Sequence, residues 1–254
     1  MNSLNYHFDL IRHLIWRDFS LRYKRSVFGV FWSFILPLSQ LMVLTFLFRR
    51  VIPLNIENYP AFVFSGLLPW TWFSTCLSSA GGMFISNRNF LRHPNFIPAT
   101  LVIVNTFSNL LNYLIALPML IVMLIFSGKA LTLALLCLPL LFLIQGALIV
   151  GLSLIISTMN VFYRDIQHII SVLLMLMFYI TPVFYQFRDI GENYQFVYTF
   201  NPIAALIEGY RSIFFYGTFP VWSSLLFAGI VSFIVCGLGC FIYNRSLHEV
   251  IDTI

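Results

Sequence analysis

Charge is what this chain most lacks. Only 9% of its 254 residues are Asp, Glu, Lys or Arg, while 60% are apolar or aromatic. A soluble domain usually carries about 25% charged residues, because its surface must be polar enough to meet water. A soluble globular protein is therefore excluded, and the apolar side chains need lipid around them.

Other absences narrow the function. The two lysines are Lys24, which follows Tyr23, and Lys129, which precedes Ala130. A phosphate-binding loop needs Lys after Gly and before Ser or Thr, so this chain does not hydrolyse ATP by that route. The five histidines (His7, His13, His93, His168 and His248) all fall outside the long apolar runs, which argues against a haem held by two intramembrane histidines. No HExxH or GxSxG pattern occurs, so the commonest hydrolytic centres are missing. Cys76, Cys137, Cys236 and Cys240 lie inside apolar runs without zinc-ligand spacing; they read as small buried residues, neither disulfides nor metal ligands. The segment 1–26 is polar and charged and does not read as a cleavable signal peptide.

What is present is a series of apolar runs. A membrane-crossing helix needs about 20 apolar residues. Six runs qualify, at about 27–48, 60–84, 99–126, 130–157, 169–186 and 222–243, and none contains a charged residue. They are continuously apolar rather than alternating, which predicts helices and not a barrel. The fold class is therefore an all-α membrane protein with six transmembrane helices. Pro37, Pro69, Pro118, Pro139 and Pro182 fall in five of the runs, where each removes a backbone donor and can kink its helix. Such kinks serve either packing or the opening of a pathway.

Orientation follows from the basic residues. With the N-terminus inside, the cytoplasmic segments hold nine (Arg12, Arg17, Arg22, Lys24, Arg25, Arg88, Arg92, Arg164, Arg245) and the outer segments five (Arg49, Arg50, Lys129, Arg188, Arg211). The excess places both termini in the cytoplasm. It also explains the net charge of +5 without nucleic acid.

The first 26 residues form a separate unit. Leu4, Phe8, Ile11, Ile15 and Phe19 share one helical stripe, with Asp9, His13 and Arg17 away from it. This predicts an amphipathic helix lying on the cytoplasmic interface. The remainder, 27–254, is the six-helix domain. Its last outer loop, 187–221, carries the apolar stretch after Asn201-Pro202, too short to span, and reads as one or two short helices at the outer interface.

Three stretches are similar to a known family: RYKRSVFGVFWSFILPL (22–38); SGLLPWTWFSTCLSSAGGMFISNRNFLRHPNF (65–96); and NVFYRDIQHIISVLLMLMFYITPVFY (160–185) together with NPIAALIEGYRSIFF (201–215). In order and spacing they resemble the ABC-2 type permease subunit of polysaccharide-exporting ABC transporters, which move O-antigen, capsular polysaccharide or teichoic acid across the bacterial inner membrane. The resemblance implies a multi-pass inner-membrane homodimer with the conduit at the dimer seam. It implies two copies of a separate ATPase carrying ATP and magnesium, and no cofactor on this chain. It also implies a substrate glycan on polyprenyl pyrophosphate, among membrane lipids.

Roles follow from the same resemblance. The segments 87–94 and 163–168 become ATPase-coupling elements, with Arg88, Arg92, Tyr163, Arg164, Asp165 and His168 as contacts; the alternative is that they are solvated loops. Arg22, Lys24, Arg25, Arg88 and Arg92 either meet the anionic headgroup or set orientation and bind anionic lipid. Phe64, Trp70, Trp72, Phe73, Phe178, Tyr179 and Phe184 either line the conduit or simply pack. Asn201, Pro202, Glu208, Gly209 and Arg211 become the outer gate, with Glu208 and Arg211 three apart and able to pair, as an exposed ion pair or as a latch at the exit. Rival readings are an ABC-2 permease for a drug or another lipid, an integral-membrane transferase using Asp165 and His168, and a secondary carrier, the last disfavoured by uncharged spans.

Overall fold

The computed structural model describes residues 3–24, 28–91, 96–130, 132–186, 191 and 199–253. Arg25 and Arg92 lie outside the described residues, as do the side chains of Leu4, Phe8 and Arg22 and most of the 187–198 segment. Among the described residues every regular element is a helix and there is no strand. Helix α1 (Ser3–Tyr23) is followed by α2 (Trp32–Phe46), which widens into a π turn at Leu47–Val51. Then come α3 (Tyr59–Ser86), the short α4 (Arg88–Leu91), α5 (Ala99–Phe126) and α6 (Leu138–Phe162), the last entered through a tight turn at Leu133–Cys137. Helix α7 (Ile166–Ile180), α8 (Pro202–Arg211), a second π turn (Ser212–Tyr216) and α9 (Trp222–Thr253) complete it.

Four segments are long and apolar enough to cross a membrane: Trp32–Val51, Ala99–Phe126, Leu133–Phe162 and Trp222–Thr253. The other two predicted spans differ for separate reasons. Helix α3 has 28 residues but is diluted by serine and threonine. Helix α7 is strongly apolar but has only 15 residues, about 22 Å at 1.5 Å per residue. The chain beyond its end supplies the rest. Gln167 packs on Gly81, Phe178 lies 5.7 Å from Trp70, and the Tyr59 hydroxyl donates to the Phe184 carbonyl at 2.9 Å. Residues 166–186 thus run beside α3 from one end to the other.

Helix α3 is the centre of the bundle. Phe62, Phe64, Leu67, Phe73, Cys76, Ala80 and Phe84 are fully or almost fully buried, and α2, α5, α6, α7 and α8 all pack on it. No hydrophobic driving force separates a helix from lipid of equal apolarity, so close packing and interhelical hydrogen bonds hold such bundles together. Both are present. Trp72 Nε1 donates to the Thr106 carbonyl at 3.1 Å, Asn105 Nδ2 to the Cys76 carbonyl at 3.2 Å, Gln145 Nε2 to the Pro69 carbonyl at 2.8 Å, and Ser157 Oγ to the Ala80 carbonyl at 2.9 Å. The closest helix pair is α6 with α9. A methyl on Gly151 would sit 2.6 Å from the Cys236 backbone, and one on Gly239 would strike the Gly151 carbonyl.

Only three of the five prolines stand in a helix interior: Pro37 in α2, Pro69 in α3 and Pro118 in α5. Pro139 sits in the first turn of α6, where its missing N–H costs nothing. Pro182 lies beyond α7, and Thr181 before it is extended, with ψ 136°, as a residue preceding proline prefers. The cysteines are also less uniform than expected. Cys76 is buried, Cys137 and Cys236 are half-buried, and Cys240 is exposed on the outside of α9, where lipid accepts it.

Helix α1 is joined to the bundle. It packs against α5. Leu14, outside the expected stripe, is the most buried of its described side chains, with Ile11, Ile15 and Phe19 half-buried and Trp16 exposed. The Arg17 guanidinium stands 4.8 Å from the Phe90 ring, joining α1 to α4. Helix α9 runs ten residues past its predicted end, to Thr253, and buries Tyr243 and Val250 with Leu91, Phe84 and Val161. The end built by α1, α4 and the tail of α9 carries Arg12, Arg17, Lys24, Arg88, Arg164 and Arg245. The opposite end carries Arg49, Arg50, Lys129 and the buried Arg211, so the positive-inside bias reads the first end as inner and this one as outer.

Candidate functional site

Along α3, Thr71, Ser74, Thr75, Ser78, Ser79 and Ser86 recur mostly at intervals of three and four. That spacing puts their hydroxyls on one helix face. The opposite face carries the buried aromatics and fixes α3 in the core, so the hydroxyl face points outward: Thr75, Ser78, Ser79 and Ser86 are exposed, and Thr71 and Ser74 half-buried. Several hydroxyls bond within their own helix, Thr71 to the Leu67 carbonyl at 2.7 Å and Ser86 to the Gly82 carbonyl at 2.6 Å. Such bonds lower the cost of a hydroxyl in a membrane while leaving oxygen lone pairs able to accept.

Helices α2 and α7 flank this face and make it a groove. One part, about 640 Å³, is lined by Gln40 of α2, by Trp70, Ser74, Thr75, Ser78 and Ser79 of α3, and by Ser171, Leu174, Met175, Phe178 and Tyr179 of α7. A second part, about 630 Å³, shares Gln40, Phe178 and Tyr179 and continues past Val43, Leu44, Leu47 and Phe48 to Phe184. Among the described residues, no charged side chain lines either part. The groove is hydroxyl-rich toward the inner end and aromatic toward the outer end, where Phe184 stacks on Phe48 at 5.1 Å and lies 5.7 Å from Phe178.

The seven aromatics expected at the conduit divide accordingly. Tyr179 is 63% exposed, Phe178 and Phe184 are half-buried, and all three line the groove; Trp70 reaches it by one edge. Phe64, Trp72 and Phe73 are buried in the interior of the single subunit. Trp72 is held there by its hydrogen bond to Thr106 and by Tyr113 and Phe142, at 6.2 and 6.0 Å. Sequence alone does not separate these groups, because Trp70, Trp72 and Phe73 are close enough along the chain to seem equivalent. The hydroxyl face is legible in its spacing but is not singled out by any motif.

At the outer end, Asn201 caps α8: its Oδ1 accepts from the N–H of Ile203 at 3.1 Å and of Ala204 at 3.4 Å, and Pro202 takes the first turn. Arg211 and Glu208 pair at 3.0 Å, but this is not an exposed ion pair. Arg211 is fully buried. Its Nη2 donates to the carbonyls of Pro182 and Val183, both at 2.9 Å, and its guanidinium lies 3.9 Å from the Phe62 ring. Gly66 makes room, since a methyl there would stand 2.9 Å from that nitrogen. In this outer segment, burial pulls the Arg211 pKa below its ordinary value and Glu208 opposes the fall. Gly209 is buried against Leu141, so it packs inside the subunit.

At the inner end, Arg88 opens α4 and is exposed, as are Lys24, Tyr163, Arg164, Asp165 and His168. Tyr163 is extended and ends α6, and His168 stands in the first turn of α7. The 88–91 and 163–168 segments thus emerge on the same face of the bundle. Leu91 of the first and Val161, two residues before the second, share one apolar cluster.

Comparison with known proteins agrees with this architecture. The family of ABC-2 type transporters matches residues 9–215. The chain is 34% identical over 249 residues to the O-antigen export system permease protein RfbA of Klebsiella pneumoniae, covering 97% of this chain and 95% of that one. It is 32% identical over 250 residues to the protein of the same name from Myxococcus xanthus, covering 96% and 95%. It is 20% identical over 246 residues to the polysialic acid transport protein KpsM of Escherichia coli, covering 96% and 95%. An all-helical bundle with uncharged spans, matched over most of its length by these permeases, belongs to the ABC-2 type transporter family as a multi-pass membrane protein.

Proposed function

We propose that this chain is the permease subunit of an ABC transporter that exports a lipid-linked polysaccharide across the bacterial inner membrane, energised by a separate ATPase. The observation that carries this reading is the uncharged hydroxyl face of α3, open between α2 and α7. Hydroxyls both donate to and accept from sugar hydroxyls. Without a fixed charge no point along the wall holds the polymer tightly, and a chain that must keep moving needs weak, repeated contacts. The relatives named for O-antigen export and polysialic acid transport support a glycan as the cargo.

A polar face in a membrane needs a polar partner. A second copy of the same groove supplies one, so the working unit is a homodimer with the two α3 faces across the passage. Arg88, Tyr163, Arg164, Asp165 and His168 stand exposed on one end, where two copies of the ATPase, with its ATP and magnesium, would bear on them. Arg92 belongs to the same segment. Arg22, Lys24, Arg25, Arg88 and Arg92 are the cations available to a polyprenyl-pyrophosphate headgroup. The chain itself makes and breaks no covalent bond.

Deleting the chain should leave completed lipid-linked polymer inside the cell, restored to the surface by the wild-type chain only together with its ATPase. The double variant Thr75→Val and Ser78→Ala should lower surface polymer per inserted permease by roughly fivefold, the worth of about one neutral hydrogen bond. Polymer at the surface in undiminished amount after deletion would overturn the reading.

A further inference from the structure

Three helices meet where the 163–168 segment enters α7. Gln167, in the first turn of α7, packs directly on Gly81 of α3: a methyl on Gly81 would stand 3.0 Å from its Cβ, 3.1 Å from its Cγ and 3.2 Å from its Cα. Its side-chain amide lies beside Gly82, with Oε1 3.5 Å from where a methyl there would stand. The start of α7 is held by α6, because the Gln167 N–H donates to Oδ1 of Asn160 at 3.0 Å, and Asn160 is buried. Asp165, which occupies the N-cap position of α7, makes no such bond. One turn back, Ser157 of α6 donates to the Ala80 carbonyl of α3.

The last turns of α3, residues 78–86, therefore have two working faces. One receives Gln167 through Gly81 and Gly82 and, at its end, continues through Asn87 into α4. The other carries Ser78, Ser79 and Ser86 of the hydroxyl face. A glycine allows the backbone of α7 to approach here, and a larger residue would have to push α7 away. We infer that Gly81, Gln167 and Asn160 form a fulcrum that carries displacement of the 163–168 segment into the wall of the passage. They are positioning residues: none meets ATP or polymer. Asn160 fixes α7 to α6 so that the two move as one, and Gln167 bears on Gly81 so that α3 must follow.

This inference rests on the proposed ATP-driven export, and the test separates the two. The permease is co-expressed with its ATPase chain in cells lacking the native copy. Surface polymer, complex yield and ATP hydrolysis by the purified complex are then measured. Gly81→Ala and Asn160→Ala should assemble with the ATPase and hydrolyse ATP near the wild-type rate. They should export roughly fivefold less polymer, or lower still, for each ATP consumed, a coupling loss of ordinary size. Asn160→Asp keeps an acceptor at the α7 N-terminus and should restore the ratio. Gly151→Ala, at the tight α6–α9 contact far from the fulcrum, should lower yield and leave the ratio intact. A wild-type ratio in both Gly81→Ala and Asn160→Ala would overturn the fulcrum. Absence of nucleotide-driven export by the wild-type complex would instead overturn the proposed function.

Discussion

Arg211 of α8 is bonded to the carbonyl of Pro182, 29 residues earlier, at 2.9 Å and with no exposure of its own side chain. That contact ties α8 directly to the residues just beyond α7. Thr181, Pro182 and Val183 have left the helix, so their carbonyls lack helical donors, and two of them are met by one guanidinium. A buried charge is tolerated when it is both paired and hydrogen-bonded. Here Glu208, two carbonyls and the Phe62 face share that work.

Replacing Arg211 with Ala should destabilise the outer end by about 3 kcal/mol, since it strands buried carbonyls and opens a void under Phe62. Lysine should recover only part of this, because it lacks the planar fork that reaches a carboxylate and two carbonyls together. Glu208→Gln should cost less than Arg211→Ala, because Glu208 is 37% exposed and its replacement still accepts a hydrogen bond. Thermal unfolding of the detergent-solubilised protein, with protease sensitivity of the outer segment, would rank the three. An Arg211→Ala protein as stable as the parent would contradict the account.

The α6–α9 contact predicts a sharp contrast among neighbouring glycines. Gly151→Ala and Gly239→Ala should each destabilise the bundle by roughly 1–3 kcal/mol, the usual range for overpacking. Gly237 is only two residues from Gly239, yet a methyl on it would meet nothing within 4 Å. Gly237→Ala should leave stability unchanged or raise it slightly through helix propensity. Melting temperatures of the three variants decide the matter, and equal shifts would mean that the helices do not cross as described.

Two aromatics that look interchangeable in sequence should behave oppositely. Trp72→Phe removes the N–H that the Thr106 carbonyl accepts and should cost about 1 kcal/mol of stability, with export falling only as the amount of folded protein falls. Tyr179→Ala removes a side chain that is 63% exposed in the groove. It should leave the melting temperature near the parent value while lowering export per inserted permease. A Tyr179→Ala protein with full export would remove this residue from the passage wall.

Much of the architecture was legible because lipid imposes a simple rule. Every backbone group in a membrane-crossing helix must be bonded within that helix, so uncharged apolar runs announce helices, and all six predicted runs coincide with a helix over most of their length. The first helix and the short outer helix were also visible, one from its three-and-four spacing and the other from the Asn201-Pro202 start. Less legible was which way each helix faces. Leu14 rather than Ile11 or Ile15 is the most buried described side chain of α1, because α5 and not lipid lies against it. Pro139 and Pro182 sit at helix ends, which composition cannot distinguish from interiors.

Sequence by itself determined that this is a membrane bundle, where most of its helices run, which end gathers the basic residues and that no phosphate-binding loop is present, because those follow from charge, apolar length and motif spacing along the chain. Only the tertiary structure decided which side of α3 is core and which is groove, that Arg211 is a buried staple rather than a surface ion pair, and that Gln167 rests on Gly81. Those facts depend on distances between residues far apart in the chain, and such distances are set when helices rotate to satisfy packing and hydrogen bonds together.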